Sequence, residues 1–168
     1  MTRGAFTLLI VALCAACAPQ SFQELNVPAS AGTGYGYSEQ RLDERRFAIT
    51  YAAPVQKGFT FAGDAGREEA DRQVNRAYEF ALARAAELAL ANGYTAFRVE
   101  DRHNDAMSQN FEAWQGPFVR PQRNYAMDDA YLAARVTVVV ALVPTLEPGA
   151  YDAQGTLATI RNRYAPPS

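Results

Sequence analysis

Two cysteines near the start of the chain carry the clearest chemistry in the sequence. Leu13-Cys14-Ala15-Ala16-Cys17 follows a short apolar run, with Arg3 as the positive charge before it. A cysteine after small residues is typical of a bacterial lipobox, in which a signal segment is cleaved and the thiol is alkylated with a diacylglycerol. The pattern predicts a signal peptide over residues 1–16 and lipidation at Cys17.

Simple secretion is the alternative to lipidation. Ala16-Cys17-Ala18 fits an ordinary cleavage site, but cleavage there would leave Pro19 first, which signal peptidases process poorly. Cys14 departs from the leucine that lipoboxes usually carry at that position. The apolar run is far shorter than the roughly 20 residues that a membrane-spanning helix needs. The sequence therefore favours a lipid anchor, and Ala18 after Cys17 is similar to the sorting pattern of the outer membrane.

The remaining composition excludes several kinds of site. The chain has two cysteines, both before residue 18, so the mature domain has no thiol for a disulfide, a zinc–thiolate centre or a redox pair. The net charge of −2 indicates no polybasic patch for nucleic acid. We expect a membrane attached through Cys17 as the partner, no nucleic acid and no cofactor.

The single histidine lies among acidic residues that suggest oxygen ligands for a hard cation. His103 is accompanied by Glu100, Asp101, Asp105, Asp128 and Asp129. Their spacing is not that of a calcium loop, and one imidazole without thiols is a weak basis for a transition-metal site. Solvated loop charge is the favoured interpretation, and no metal site is predicted.

A glycine-rich segment precedes the first predicted strand. Gly32-Thr33-Gly34-Tyr35-Gly36 opens no helix, whereas a nucleotide loop needs a strand behind it and a helix in front. We expect a turn from which Tyr35 or Tyr37 packs onto the domain. Ser38 has no base nearby to activate it, so it is predicted to be a turn or cap residue and no catalytic residue is assigned.

A long polar segment between residues 106 and 130 carries aromatic side chains among arginines and amides. Residues of this kind suit contacts with a protein, peptide or glycan. The candidate partner-binding residues are Phe111, Trp114, Phe118 and Tyr125. The favoured alternative is that these aromatic residues cover an open sheet face or form an extra hairpin.

Apolar periodicity predicts the elements that position these residues. The predicted strands and helices are a strand over Arg45–Ala52, a possible short strand at Phe59–Phe61, a helix over Arg67–Asn92, strands over Thr95–Arg102 and Tyr131–Val143, and a helix to about Arg163. We expect an α+β fold: a small, mainly antiparallel sheet of three to four strands, with one long helix and a C-terminal helix on one face. Residues 17–34 are predicted to form a flexible tether and residues 35–168 a single periplasmic domain.

Local signals refine these elements. Asp64 is predicted to cap the long helix, Gly93 to end it with Tyr94 folding back, and Asp152 to cap the last helix. Arg98, Glu100 and Arg102 are predicted to point away from the core. Arg135 is expected to lie across from Glu100.

Several short motifs together resemble a family of small proteobacterial lipoproteins. The motifs are the Gly34-Tyr35-Gly36-Tyr37-Ser38-Glu39 segment, Arg46-Phe47, Arg84-Ala85-Ala86-Glu87-Leu88, and Asn92-Gly93-Tyr94 followed by Phe97. The resemblance runs from the lipobox to about Asp105. It implies an envelope location and a similar fold, and it implies no catalytic residue because no activity is assigned to that family.

Taken together, these features predict a lipoprotein of the outer membrane that faces the periplasm. Its domain is expected to be a non-enzymatic binding or envelope-structural module, with an envelope protein or a glycan as partner. A domain that senses a small ligand or envelope stress is one alternative. A hydrolase is another, and it would need two carboxylates facing each other across a cleft.

Overall fold

A computed structural model describes residues 21–30, 34–57, 63–110 and 130–165 of the chain. The elements in chain order are α1 (Phe22–Leu25), β1 (Gly36–Arg41), β2 (Arg46–Ala52), β3 (Gln56–Lys57), α2 (Gly63–Ala91), β4 (Ala96–Asn110), β5 (Ala130–Val143), β6 (Tyr151–Asp152) and α3 (Ala153–Arg163). The predicted α+β class is confirmed. The described residues contain six strands in one sheet, more than the three to four expected.

The sheet is built around a long hairpin. Its strand order is β1-β2-β5-β4-β6, with β3 also paired to β5, and the pairings between these strands are antiparallel. β4 and β5 pair from Ala96 opposite Val143 to Asn110 opposite Ala130. Residues 103–110, expected in a loop, therefore belong to β4. Their polar side chains disfavour a strand locally, but β5 offers a continuous ladder of backbone partners that outweighs this preference.

The glycine-rich segment leads into an edge strand that the sequence did not predict. In β1, Ser38 pairs with Thr50 of β2, so its assignment to a turn or cap is wrong. Apolar periodicity does not reveal this strand, because its residues from Ser38 onward are exposed and show no alternation of buried side chains. Tyr35 and Tyr37 pack against the core, as expected.

The packed structure begins before Tyr35. The hydroxyl of Ser21 accepts from the Glu24 amide, and the Ser21 amide donates to the Glu24 carboxylate, so the two residues form a capping box at the start of α1. Phe22 and Leu25 are buried in the core. Residues 21–30, which their composition assigns to a flexible tether, are thus part of the folded domain, because two apolar side chains hold them there.

The long helix α2 lies against the sheet through a stripe of small and aromatic residues. Its alanines pack closely against the core, and they include Ala77, Ala81, Ala85 and Ala89. The helix begins at Gly63, so Asp64 lies in its first turn and is not the cap residue. Its end is as predicted: Gly93 has a φ of 79°, and the Tyr94 amide donates to the Ala89 carbonyl at 2.9 Å.

Phe80 of α2 joins the layers at the centre of the core. Its ring lies 4.9 Å from Tyr51 of β2, 5.6 Å from Phe22 of α1 and 4.9 Å from Tyr164. Tyr164 follows α3, which Asp152 caps by accepting from the Gly155 amide at 2.6 Å. Both helices therefore lie on one face of the sheet, as predicted.

The other face of the sheet carries several small side chains. It includes Ala48, Thr50 and Thr137, and the last two hydroxyls are hydrogen-bonded at 2.9 Å across β2 and β5. Within the described ranges, no helix combines the length and apolar character needed to cross a membrane.

Candidate functional site

A polar cluster lies where α2 crosses β4 on the helix side of the sheet. We call it the Tyr78 cluster, and it consists of Tyr78, Arg102, Asn104 and Tyr151. The guanidinium carbon of Arg102 lies 3.9 Å from the centre of the Tyr78 ring. The Tyr78 and Tyr151 hydroxyl oxygens are 3.3 Å apart, and Arg102 Nε donates to Asn104 Oδ1 at 2.7 Å. The cluster thus combines one cation with two phenol hydroxyls and an amide.

A β-bulge in β4 places Arg102 in this cluster. Val99 pairs with Val140 and Asp101 pairs with Val139, so Glu100 has no direct partner in β5. Because of this extra residue, Arg102 pairs with Val138, whose side chain is buried under the helices. The prediction that Arg102 points away from the core is therefore wrong. Bulges commonly redirect a side chain in this way.

The surroundings of Tyr78 keep its hydroxyl protonated. Burial, together with the hydrogen bond to Tyr151, raises the pKa of Tyr78 to about 12. The hydroxyl is therefore neutral at physiological pH. It can donate or accept a hydrogen bond, and it is unsuited to act as a base.

The Arg102 guanidinium is available to bind a partner. Its side chain is exposed, and no ion pair joins it to a carboxylate among the side chains that the structure describes. The Tyr78 ring and Asn104 hold the guanidinium in place, which lowers the conformational entropy that binding would cost. A guanidinium arranged in this way suits a carboxylate, a phosphate or a sugar hydroxyl.

A second arginine, in the Arg84 network, has its charge neutralised within the domain. The network consists of Arg84 and Glu87 of α2 with Tyr37 and Glu39 of β1. Arg84 Nε lies 2.8 Å from Glu39 Oε2, and its Nη1 lies 3.1 Å from Glu87 Oε2. The guanidinium carbon also lies 4.4 Å from the centre of the Tyr37 ring. Burial lowers the pKa of Arg84, but hydrogen bonds to Glu39 and Glu87 outweigh it and raise the pKa overall.

The Arg84 network also ties the segment around Asn26 and the helix α3 to the rest of the domain. Glu87 Oε1 accepts from Asn26 at 2.9 Å and lies 3.4 Å from Arg161 Nη2. The network thus connects the N-terminal segment, β1, α2 and α3. The motif residues around Tyr37 and Arg84, far apart in sequence, contact each other here, so these motifs have a structural role.

Gly36 permits the close approach of the N-terminal segment to β1. Its φ is 114°, and a Cβ atom there would collide with the carbonyl oxygen of Val27. The Tyr37 amide donates to Val27 O at 2.8 Å, and the Ala29 amide donates to Tyr37 O at 2.7 Å. Glycine is needed here because no other side chain fits this backbone and this contact.

The acidic residues that accompany His103 in sequence are dispersed in the part of the chain that the structure describes. His103 pairs with Thr137 on the sheet face opposite Arg102. Glu100 lies 3.9 Å from Arg46, whereas Arg135 pairs with Asp105 and Ala52, so the expected Arg135–Glu100 pair is wrong. Among the described side chains, no three His, Cys, Asp or Glu residues are placed to hold a metal ion.

The other predicted site residues lie outside the described residues. They are the lipidation residue Cys17, the neighbouring Cys14, the aromatic residues Phe111, Trp114, Phe118 and Tyr125, and the acidic residues Asp128 and Asp129.

The sequence did not predict the Tyr78 cluster, because Tyr78 fits the apolar stripe of the helix and Arg102 fits the regular alternation of a strand. The one signal in the sequence is Arg102 itself, an arginine in a strand whose other side chains alternate between apolar and polar.

Comparison with known proteins does not test the resemblance to the lipoprotein family, which stays a prediction from the sequence motifs. No protein-family model, curated protein or solved structure matches this chain.

Proposed function

We propose that this protein is a lipid-anchored component of the bacterial envelope whose α+β domain binds an envelope protein or a glycan and catalyses no reaction. Acyl chains on Cys17 would hold it in the outer membrane, facing the periplasm. The proposal depends on one observation above all. The described contacts start at Ser21, four residues after Cys17, so cleavage before Cys17 would remove none of them.

The chemistry of the two cysteines supports the anchor. Cys14 would leave with the signal peptide, and Cys17 would become the first residue of the mature chain. The sequence after Cys17 has no thiol, so neither a disulfide nor a metal–thiolate site competes for this residue.

The Tyr78 cluster supports binding by the domain. Arg102 is an exposed cation already ordered by the Tyr78 ring and by Asn104. It can receive an acidic group or a hydroxyl from a partner at little additional entropic cost. The aromatic residues Phe111, Trp114, Phe118 and Tyr125 follow β4 in sequence and remain the predicted second contact.

A pair of single substitutions tests the anchor. Cys17→Ala should abolish acylation, measured by the mass of the intact protein, and should release the protein from the membrane pellet. Cys14→Ala is the matched control, because this residue would be removed with the signal peptide and acylation should persist. Pelleting of unacylated Cys17→Ala with the membrane would refute the anchor.

Partner binding is tested by co-purification from chemically cross-linked envelope fractions. Arg102→Gln and Trp114→Ala should each reduce recovery of the same partner. Arg98→Gln is the control, because Arg98 is exposed on the same strand and is already paired with Glu147 at 2.8 Å. An unchanged partner set in both test variants would remove these residues from the binding surface.

A further inference from the structure

The folded domain begins too close to Cys17 to stand away from the membrane. A fully extended chain spans at most about 3.6 Å per residue, so Ser21 lies within about 14 Å of Cys17. Ser21 is fixed to the domain: its amide donates to Glu24 Oε2 at 2.7 Å, and Phe22 next to it is buried. If Cys17 is acylated, part of the domain surface near α1 must therefore lie at the lipid headgroups.

The end of α3 packs against α1, close to Ser21. The Phe22 amide donates to the Tyr164 carbonyl at 3.1 Å, and the Arg161 guanidinium lies 5.5 Å from the centre of the Phe22 ring. Arg163 lies in the same helical turn as Arg161. We call α1 together with Arg161, Arg163 and Tyr164 the anchor surface.

The two arginines of the anchor surface are more exposed than their acidic partners, whereas α1 itself carries the exposed Glu24. Arg161 is 53% exposed and its partner Glu87 is 20% exposed. Arg163 is 56% exposed and its partner Glu79 is 22% exposed. The Glu79 and Glu87 carboxylates are less exposed than the two guanidinium groups, so a surface that approaches the end of α3 meets these cations first.

We propose that the anchor surface lies directly on the phospholipid headgroup layer, where Arg161 and Arg163 contact lipid phosphates. This inference rests on the proposed acylation of Cys17. Guanidinium groups form paired hydrogen bonds with phosphate oxygens, and the acyl chains keep the two arginines at the surface. The domain is therefore held on the bilayer in a set orientation, and the turn between β1 and β2 points away from it.

Energy transfer to labelled headgroups tests this orientation. The acylated protein is reconstituted into vesicles of phosphatidylethanolamine and phosphatidylglycerol with an acceptor dye on the headgroups. Gln23→Cys places a donor dye on α1, and Glu44→Cys places one in the β1–β2 turn; both side chains are exposed. The N-terminal segment is tied to β1 at Tyr37, and Glu44 lies in the turn beyond Arg41, four strand residues or roughly 13 Å further along. We expect clearly stronger transfer from position 23.

Two variants separate the causes. About twelve Gly-Ser residues inserted before Ser21 would add roughly 20 Å of reach and should reduce the difference between the two positions without changing the domain. Substituting Arg161 and Arg163 with Gln should reduce the difference in transfer between positions 23 and 44 about twofold, because the link to Cys17 still holds α1 near the headgroups but two cations that fix the orientation are lost. The control replaces Arg46 and Arg98 with Gln; these are 51% and 46% exposed and lie far from α1, and transfer should not change.

The outcomes distinguish this inference from the proposed function. Intact mass shows whether the reconstituted protein is acylated, and absence of acyl chains would overturn the anchor and this inference together. Equal transfer from positions 23 and 44 in acylated protein would overturn the orientation alone. An unchanged difference between the two positions in the folded Arg161 and Arg163 variant, checked by circular dichroism, would overturn the contact of the arginines with phosphate.

Discussion

Arg84 and Arg102 are used differently although both lie over a tyrosine ring. The guanidinium carbon lies 4.4 Å from the ring centre of Tyr37 for Arg84 and 3.9 Å from that of Tyr78 for Arg102. Arg84 also pairs with Glu39 and Glu87 and is mostly buried. Arg102 is exposed, and among the described side chains its partner beyond the ring is the amide of Asn104.

The comparison shows how the same pair of residue types can hold a fold together or remain available for binding. The carboxylates of the Arg84 network neutralise its cation and connect the N-terminal segment with the two long helices. In the Tyr78 cluster, the ring orients the cation, and no carboxylate among the described side chains pairs with it. The substitutions below test this difference by measuring stability, in order of decreasing expected effect.

Of these substitutions, Gly36→Ala should lower the stability of the domain most, because Gly36 lies at the contact between β1 and the N-terminal segment. It combines an unfavourable φ with a collision at Val27 O, and we expect a loss of about 3 kcal/mol in the free energy of unfolding. Gly149→Ala is the control, because its φ is 82° but a Cβ atom there meets nothing within 4 Å. Its cost should be about 1 kcal/mol. Equal losses in urea denaturation would show that the N-terminal contact contributes little.

Arg84→Gln should have the next largest effect. It leaves Glu39 and Glu87 without their main cationic partner in a partly buried site, and we expect a loss of about 2 kcal/mol. Arg67→Gln is the control, because its ion pair with Asp64 is almost fully exposed and should contribute less than about 0.5 kcal/mol. Urea denaturation compares the two, and a similar cost for both would contradict the neutralised role of Arg84.

Alkaline pH should weaken the fold partly through Tyr78. Its pKa is 10.0 without perturbation and about 12 in the folded protein, so the folded state holds its proton more tightly. The resulting stability is present below pH 10 and is lost as the pH rises to about 12. Tyr78→Phe should lose less stability between about pH 9 and about pH 11, measured by urea denaturation. An identical loss in the variant would assign the effect to other groups, such as Tyr51 and Tyr164, whose pKa values burial also raises.

Arg102→Gln should change stability least. The guanidinium is exposed, so loss of its contact with the Tyr78 ring should cost about 0.5 kcal/mol. The measurement is the same urea denaturation used for Arg84→Gln, and the matched substitution makes the two directly comparable. A loss as large as that of Arg84→Gln would show that Arg102 is a structural residue and would remove the basis for binding at the Tyr78 cluster.

The parts of the fold that sequence reasoning predicted are those with local signals. The strand around Ile49 and the strand around Val138 show regular alternation of buried residues, and the end of the long helix is marked by Gly93. Asp152 likewise marks the start of the last helix. Each of these features depends on neighbours a few residues away, so pattern and propensity suffice.

The missed parts depend on distant partners. β1 exists because β2 pairs with it, from Gly36 opposite Ala52 to Arg41 opposite Phe47. The far half of β4 exists because β5 pairs with it as far as Ala130. Neither has a periodic pattern of its own, so its backbone hydrogen bonds can be assigned only when the partner strand is in place.

The order of apolar residues alone is enough to imply a helix layer on one face of an antiparallel sheet, and Cys17 alone indicates where an anchor would be attached. Whether Arg84 and Arg102 stabilise the fold or remain available for binding depends on the tertiary structure. Glu39 reaches Arg84 because of the register of β1 on β2, and Arg102 reaches Tyr78 because Glu100 adds one residue to β4. Strand register and bulges arise from pairing between distant segments, and side chains change faces with a shift of a single residue.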